Sequence, residues 1–173
     1  MNPQTIWLTG LSGSGKSTIA QALHERFECD HINATVLDGD VIRKGLCADL
    51  GFSPADRSEN IRRIAHVCKL LNDASLTCIV AFISPYRADR ELARQIVGAE
   101  RFLEVHIATA LAVCEERDPK GLYAKARSGE LPSFTGISAP YEAPEHPALR
   151  LDTLNTPLSE CVAALMKLTC SNR

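Results

Sequence analysis

Apolar positions in this chain fall into short continuous runs, separated by stretches with helical spacing. Residues 5–9 (TIWLT) read as a short buried strand. A glycine-rich turn follows, and then a helix is expected from about residue 16 to 27. Residues 34–37 (ATVL) read as a second strand. Ser53 and Pro54 open a long helix, the serine as cap and the proline in the first turn. It runs to about Asn72 with Ile61, Ile64, Cys68 and Leu71 on one face. Residues 77–83 (TCIVAFI) form the unbroken apolar run of a central parallel strand. A helix over 87–97 and a strand over 102–107 come next. Thr109 is expected to cap a helix ending near Glu116. Residues 148–151 give a last strand and 157–168 a closing helix. Strands that alternate with helices predict an α/β fold, a parallel sheet with helices on both faces.

One segment breaks the alternation. Residues 117–147 contain Pro119, Pro132, Pro140, Pro144 and Pro147, with Gly121, Gly129, Gly136 and several basic side chains. An insert of this length without apolar periodicity is expected to act as a mobile lid. The 173 residues therefore read as one domain, 1–173, with a lid at about 117–147.

Composition narrows the classes. The formal net charge of −2 argues against a general nucleic-acid binder. No apolar stretch approaches the roughly 18 residues of a membrane span, and the first residues carry no basic cluster of a secretory signal. Seven cysteines without a C-x-x-C pair read as reduced thiols of a cytoplasmic protein. The five histidines are scattered, with no metal-binding spacing.

The chemistry begins at Gly10-Leu11-Ser12-Gly13-Ser14-Gly15-Lys16-Ser17, a full match to G-x-x-x-x-G-K-[ST] between a predicted strand and a predicted helix. Glycines let backbone N–H groups close around phosphate oxygens, and the helix N-terminus favours an anion. Lys16 is expected to reach the β and γ phosphates of ATP, and Ser17 to offer its hydroxyl to Mg²⁺, with Thr18 following in the nucleotide site. A GTPase would need N-K-x-D, which is absent; the D-x-x-G at Asp118–Gly121 follows a helix and reads as coincidence. The strand over 77–83 ends in Ser84-Pro85 rather than in the acid of a motor or transporter ATPase. These features favour a small phosphotransferase. Asp38-Gly39-Asp40 follows the second strand directly, where open α/β sheets bind ligands. The two acids could orient an acceptor hydroxyl, take its proton and hold Mg²⁺ through water. A plain Asp-Gly turn with one acid capping the next helix is the alternative.

Beyond the loop, LDGD (37–40), GFSPADRSENIRR (51–63), FISPYR (82–87), CEERDPKGLYAKAR (114–127), FTG (134–136) and APYEAP (139–144) occur in the order seen in adenylylsulfate kinases. The chain resembles that family from about residue 5 to 153. The resemblance implies a three-layer P-loop fold with a mobile lid. It also implies transfer of the ATP γ-phosphate to the 3′-hydroxyl of adenosine 5′-phosphosulfate. It casts Asp38 as the catalytic acid, beside Lys16, and Asp40 as a substrate or magnesium contact. Arg43, Arg57 and Asn60 would grip the phosphosulfate and ribose, since an arginine fork suits a doubly anionic group. Phe52 and Phe134 would sandwich the adenine of the acceptor, a contact worth roughly 1–3 kcal/mol per base in analogous sites. Ile83, Ser84, Lys120 and Leu122 would complete the acceptor site, and Arg117 would lie over the ATP adenine. Ser84 is sometimes cast as a phosphoserine intermediate in this family, although direct in-line transfer needs only positioning and charge. Val41 stands where the family most often has asparagine, and Ser75 where glycine is usual. The resemblance further implies a homodimer and functional association with a separate ATP sulfurylase. Two other classes stay open on the residues alone: a kinase for another small molecule or a nucleoside monophosphate, and a non-catalytic nucleotide-binding module.

Overall fold

The computed structural model describes residues 2–171. Five strands, β1 (Thr5–Thr9), β2 (Ala34–Asp38), β3 (Thr77–Ala81), β4 (Phe102–Ile107) and β5 (Leu149–Leu151), form one sheet in the order β2-β3-β1-β4-β5. Every pairing is parallel. Helices α1 (Lys16–Cys29), α2 (Gly39–Ile42), α3 (Pro54–Asp73), α4 (Arg87–Val97), α5 (Leu111–Arg117), α6 (Leu122–Arg127) and α7 (Leu158–Ser171) lie between and after them.

The apolar runs have a direct physical origin. A parallel strand is covered on both faces, so all five residues of β1 and of β3 are buried. One face is closed by Ile19, Ala20, Leu23 and Phe27 of α1 with Cys161 and Leu165 of α7. The other is closed by Ile61, Ile64, Ala65 and Cys68 of α3 with Ala93 and Val97 of α4, against Trp7, Val80 and Phe82. Leu23 is fully buried, so truncation to alanine would cost about 2–5 kcal/mol. Ser53 caps α3 as expected, its hydroxyl accepting from the Asp56 amide at 3.1 Å with Pro54 in the first turn. Cys47, Cys68, Cys78, Cys114 and Cys161 are buried free thiols, while Cys29 and Cys170 are exposed. No helix among the described residues is long and apolar enough to cross a membrane.

Three local expectations need correction. β3 ends at Ala81 rather than Ile83, because the chain leaves the sheet and Ser84 adopts a left-handed φ of 40°. Thr109 does not cap α5. The cap position is Ala110, and the buried Thr109 hydroxyl is spent on the Ser14 carbonyl and the Thr153 hydroxyl, at 3.2 and 2.8 Å. The insert contains α6, too short to show a period. Asp118 serves the start of α6, its carboxylate accepting from the Tyr123 and Ala124 amides at 3.1 and 3.0 Å. At Gly39–Ile42 one acid does cap the next helix, as the Asp-Gly turn allows: Asp38 accepts from the Asp40 amide at 2.9 Å. The insert is held to the body: Tyr123 donates to the Ser12 carbonyl at 2.9 Å, and the Glu142 amide to the Pro85 carbonyl at 2.8 Å.

Candidate active site

The phosphate loop connects the C-terminal end of β1 to α1 at the middle of the sheet. Gly13 and Gly15 have φ of 73° and 98°, a region open to glycine, and a Cβ on Gly13 would meet the Cys114 carbonyl at 2.9 Å. The Ser14 carbonyl accepts from the hydroxyls of Thr109 and Thr153 at 3.2 and 3.0 Å, which fixes the loop from below. The Lys16 ammonium donates to the carbonyls of Gly10 and Leu11 at 2.9 and 2.7 Å. Its burial brings its pKa down from 10.5 to about 8. A desolvated ammonium beside loop amides and a helix N-terminus is a strong receptor for phosphate.

The carboxylates arrive from the end of β2. Asp38 accepts from the Ser17 hydroxyl at 2.5 Å, so an acid and the loop serine share one spot. Asp40 points instead to the insert, where it pairs with Lys120. Asp38 is thus the carboxylate in contact with Ser17, and Asp40 ties the insert across the cleft. The described residues contain no cluster of three or more histidine, cysteine, aspartate or glutamate side chains for a metal. A hydroxyl beside a carboxylate is the sparse oxygen set that suits Mg²⁺ when substrate phosphates supply the remaining ligands.

From the loop a cleft of about 660 Å³ runs past the ends of β2 and β3 to α3 and the insert. Ser12, Gly13, Gly15, Lys16, Ser17, Thr18 and Arg117 line its nucleotide end. Arg117 donates to the Thr153 hydroxyl and carbonyl at 2.7 and 3.1 Å. Gly10 and Ser14 do not line the cleft and shape the loop from behind. A Cβ on Gly10 would strike the Ile107 carbonyl at 2.5 Å, and the Ser14 hydroxyl accepts from Lys16.

Asp38, Asp40, Arg43, Phe52, Arg57, Asn60, Ile83, Ser84, Lys120, Leu122 and Phe134 line the other end. Phe52 is 63% exposed, with the Arg43 guanidinium 4.4 Å above its ring. Burial, and the neighbouring Arg57, lower the Arg43 pKa. Phe134 packs edge-on against Tyr123 at 5.0 Å. Arg57 spans to the insert through the Ser133 carbonyl at 2.6 Å and the Thr135 hydroxyl. Asn60 is 4% exposed, and among the described residues its Oδ1 has no hydrogen-bond partner. Ser84 is buried, and its hydroxyl accepts from the Trp7 indole at 3.0 Å. Among the described residues no basic side chain hydrogen-bonds that hydroxyl, which donates to the Phe82 carbonyl at 3.4 Å.

Some site residues escaped the sequence reading. Thr153 follows β5, and its position at a strand end was a usable signal. Tyr123 and Thr135 lie in the insert, where nothing local announces that they touch the loop and Arg57.

The family model for adenylylsulphate kinase matches residues 2–152. The chain belongs to the adenylylsulphate kinase family. It is 58% identical over 147 residues to the adenylyl-sulfate kinase of Enterobacter sp. (strain 638), covering 85% of this chain and 73% of that protein. It is 54% identical to that of Marinobacter nauticus, covering 95% of this chain and 82% of that one. The solved APS kinase of Mycobacterium tuberculosis in complex with AMPPNP and APS superposes with a TM-score of 0.93 at 48% identity, covering 97% and 98% of the two chains. A gluconokinase from Sinorhizobium meliloti, 18% identical with a TM-score of 0.63 over 99% and 94%, shares the fold alone.

Proposed function

We propose that this protein transfers the γ-phosphoryl group of ATP to the 3′-hydroxyl of adenosine 5′-phosphosulfate, giving ADP and 3′-phosphoadenosine 5′-phosphosulfate. The observation that carries this reading is one continuous cleft. A complete phosphate loop lies at one end and an arginine, asparagine and aromatic set at the other, with Asp38 between them. The M. tuberculosis relative, which superposes over nearly the whole chain, was solved with APS and an ATP analogue.

Loop amides and Lys16 hold the nucleotide phosphates and take up charge as it shifts during transfer. Asp38 orients the 3′-hydroxyl and accepts its proton as that oxygen bonds to the γ-phosphorus. The bond from that phosphorus to the β,γ-bridging oxygen breaks, and ADP leaves with the electron pair. Ser17, with the Asp38 and Asp40 carboxylates near it, would hold Mg²⁺, which would supply charge neutralisation for the phosphates when bound. Arg43, Arg57 and Asn60 bind the anionic end and ribose of the acceptor, with Phe52 and Phe134 on either side of its adenine. Ile83, Ser84, Leu122 and Lys120 close the acceptor site. We further propose a cytoplasmic homodimer that receives its acceptor from a separate sulfurylase; light scattering of the purified protein tests the dimer.

A coupled ADP-release assay tests the reaction, with MgATP and the phosphosulfate run beside AMP, adenosine, shikimate and gluconate. Turnover of roughly 1–100 s⁻¹ with the phosphosulfate alone is expected. Release with another acceptor instead would keep the kinase and discard this substrate. Asp38→Asn is expected to lower kcat by about 10²–10⁴-fold while MgATP affinity stays near normal. A normal rate in that variant would remove Asp38 from the mechanism.

A further inference from the structure

Arg90 stands outside the cleft and outside every role assigned so far, yet it is 2% exposed and carries a full set of directed bonds. Its three guanidinium nitrogens reach three different parts of the chain. Nε donates to the Glu104 carboxylate on β4 at 2.6 Å. Nη1 donates to the Ser84 carbonyl, in the segment beyond β3 that walls the acceptor site, at 2.7 Å. Nη2 donates to the Glu142 carbonyl, in the insert, also at 2.7 Å. Glu104 balances the charge, and the other two bonds go to backbone that regular structure does not hold.

The Ser84 backbone needs such support. A serine with a left-handed φ is disfavoured unless its surroundings impose it. The Trp7 indole holds its side chain, and Arg90 holds its carbonyl. Thr9 adds a hydroxyl that donates to the Ile83 carbonyl at 2.7 Å and lies 3.0 Å from the Tyr141 hydroxyl. The Glu142 amide in turn donates to the Pro85 carbonyl. Residues 83–85 and 141–142 are thus bound to each other through Arg90 and Thr9, directly behind the cleft wall.

We infer that Arg90 is a positioning residue that sets the acceptor wall and the insert in register with each other. A planar fork suits this, because a lysine ammonium gathers its three donors on one nitrogen, whereas these acceptors face three different nitrogens of the guanidinium. The inference rests on the proposed reaction for its kinetic readout but not for its structural one.

The test is Arg90→Lys in the full chain, which keeps the charge beside Glu104 and loses the fork. Two readouts are taken. In the coupled assay, KM for adenosine 5′-phosphosulfate is expected to rise about tenfold or more, while KM for MgATP stays within about twofold. A residue that merely supports the fold would move both together. By hydrogen exchange, the Glu142 amide is expected to lose protection while β1 and β3 amides keep theirs. Equal changes in both KM values, or unchanged kinetics with unchanged Glu142 protection, would overturn the inference. If wild-type protein shows no turnover, the reaction is wrong, and the exchange experiment alone decides on Arg90. If Arg90→Lys fails to fold, Tyr141→Phe decides. It deletes only the insert hydroxyl at Thr9 and is expected to show the same selective rise in acceptor KM; an unchanged KM ratio overturns the inference.

Discussion

Lys16 illustrates how burial prepares a residue for a ligand. It titrates at about 8 in the folded chain, against 10.5 in an exposed one. Between those values the unfolded chain binds more protons, so this lysine adds stability as pH rises through the window and adds none below pH 8. Nucleotide phosphates favour the ammonium and draw its pKa back up. Binding of MgATP at pH 8.5 is therefore expected to take up protons, and at pH 6.5 not to do so through this group. Calorimetry in buffers of differing ionisation enthalpy measures the uptake, and its absence at pH 8.5 would contradict the desolvated lysine. The phosphate loop was legible residue by residue because its chemistry is local. The pairing of Asp40 with Lys120 was not, because it depends on where a residue 80 positions away lands.

At the scale of elements, short helices carry the site and long ones carry the stability. α3 belongs to both, since its first turns present Arg57 and Asn60 while its later turns fill the core. Ser53→Ala is expected to lower stability by about 1 kcal/mol, read as a shifted denaturant midpoint at constant slope. It is also expected to raise the acceptor KM, because the turn it caps holds the gripping residues. Asp118→Ala removes the acceptor for two α6 amides, and hydrogen exchange is expected to show that helix opening while α3 stays protected. The long elements were readable from apolar period, Pro54 and Ser53. α2 and α6 were not, since four or six residues cannot display a repeat and their caps look like ordinary turns.

For the whole molecule, pH acts through β4. His106 is buried, its ring tilted by 30° against that of Tyr141 with centroids 5.9 Å apart. Desolvation, then the charges of Arg150 and Arg90, hold its pKa at about 4, against 6.5 when exposed. As pH falls below 6.5, the unfolded chain takes a proton that the folded chain refuses. Stability is lost from this group down to about pH 4 and levels below it. The melting temperature of wild type is expected to fall more steeply between pH 6.5 and 4 than that of His106→Gln. Parallel slopes would show that the imidazole is not the responsible group. The parallel sheet itself was foreseeable from alternation. The attachment of the insert was not, because its bonds from Arg57, Arg90 and Tyr123 join residues far apart in sequence.

Trp7 is the single tryptophan of the chain, fully buried, with its indole N–H given to Ser84 beneath the acceptor wall. The protein thereby carries its own fluorophore in the core, one hydrogen bond behind the cleft wall. Its emission is expected to be blue-shifted by the apolar packing of Phe82 and Phe102 around it. Ligands that press on residues 83–85 would change its quantum yield, whereas ligands confined to the phosphate loop would leave it nearly constant. Titration without any label would then separate acceptor occupancy from nucleotide occupancy in real time.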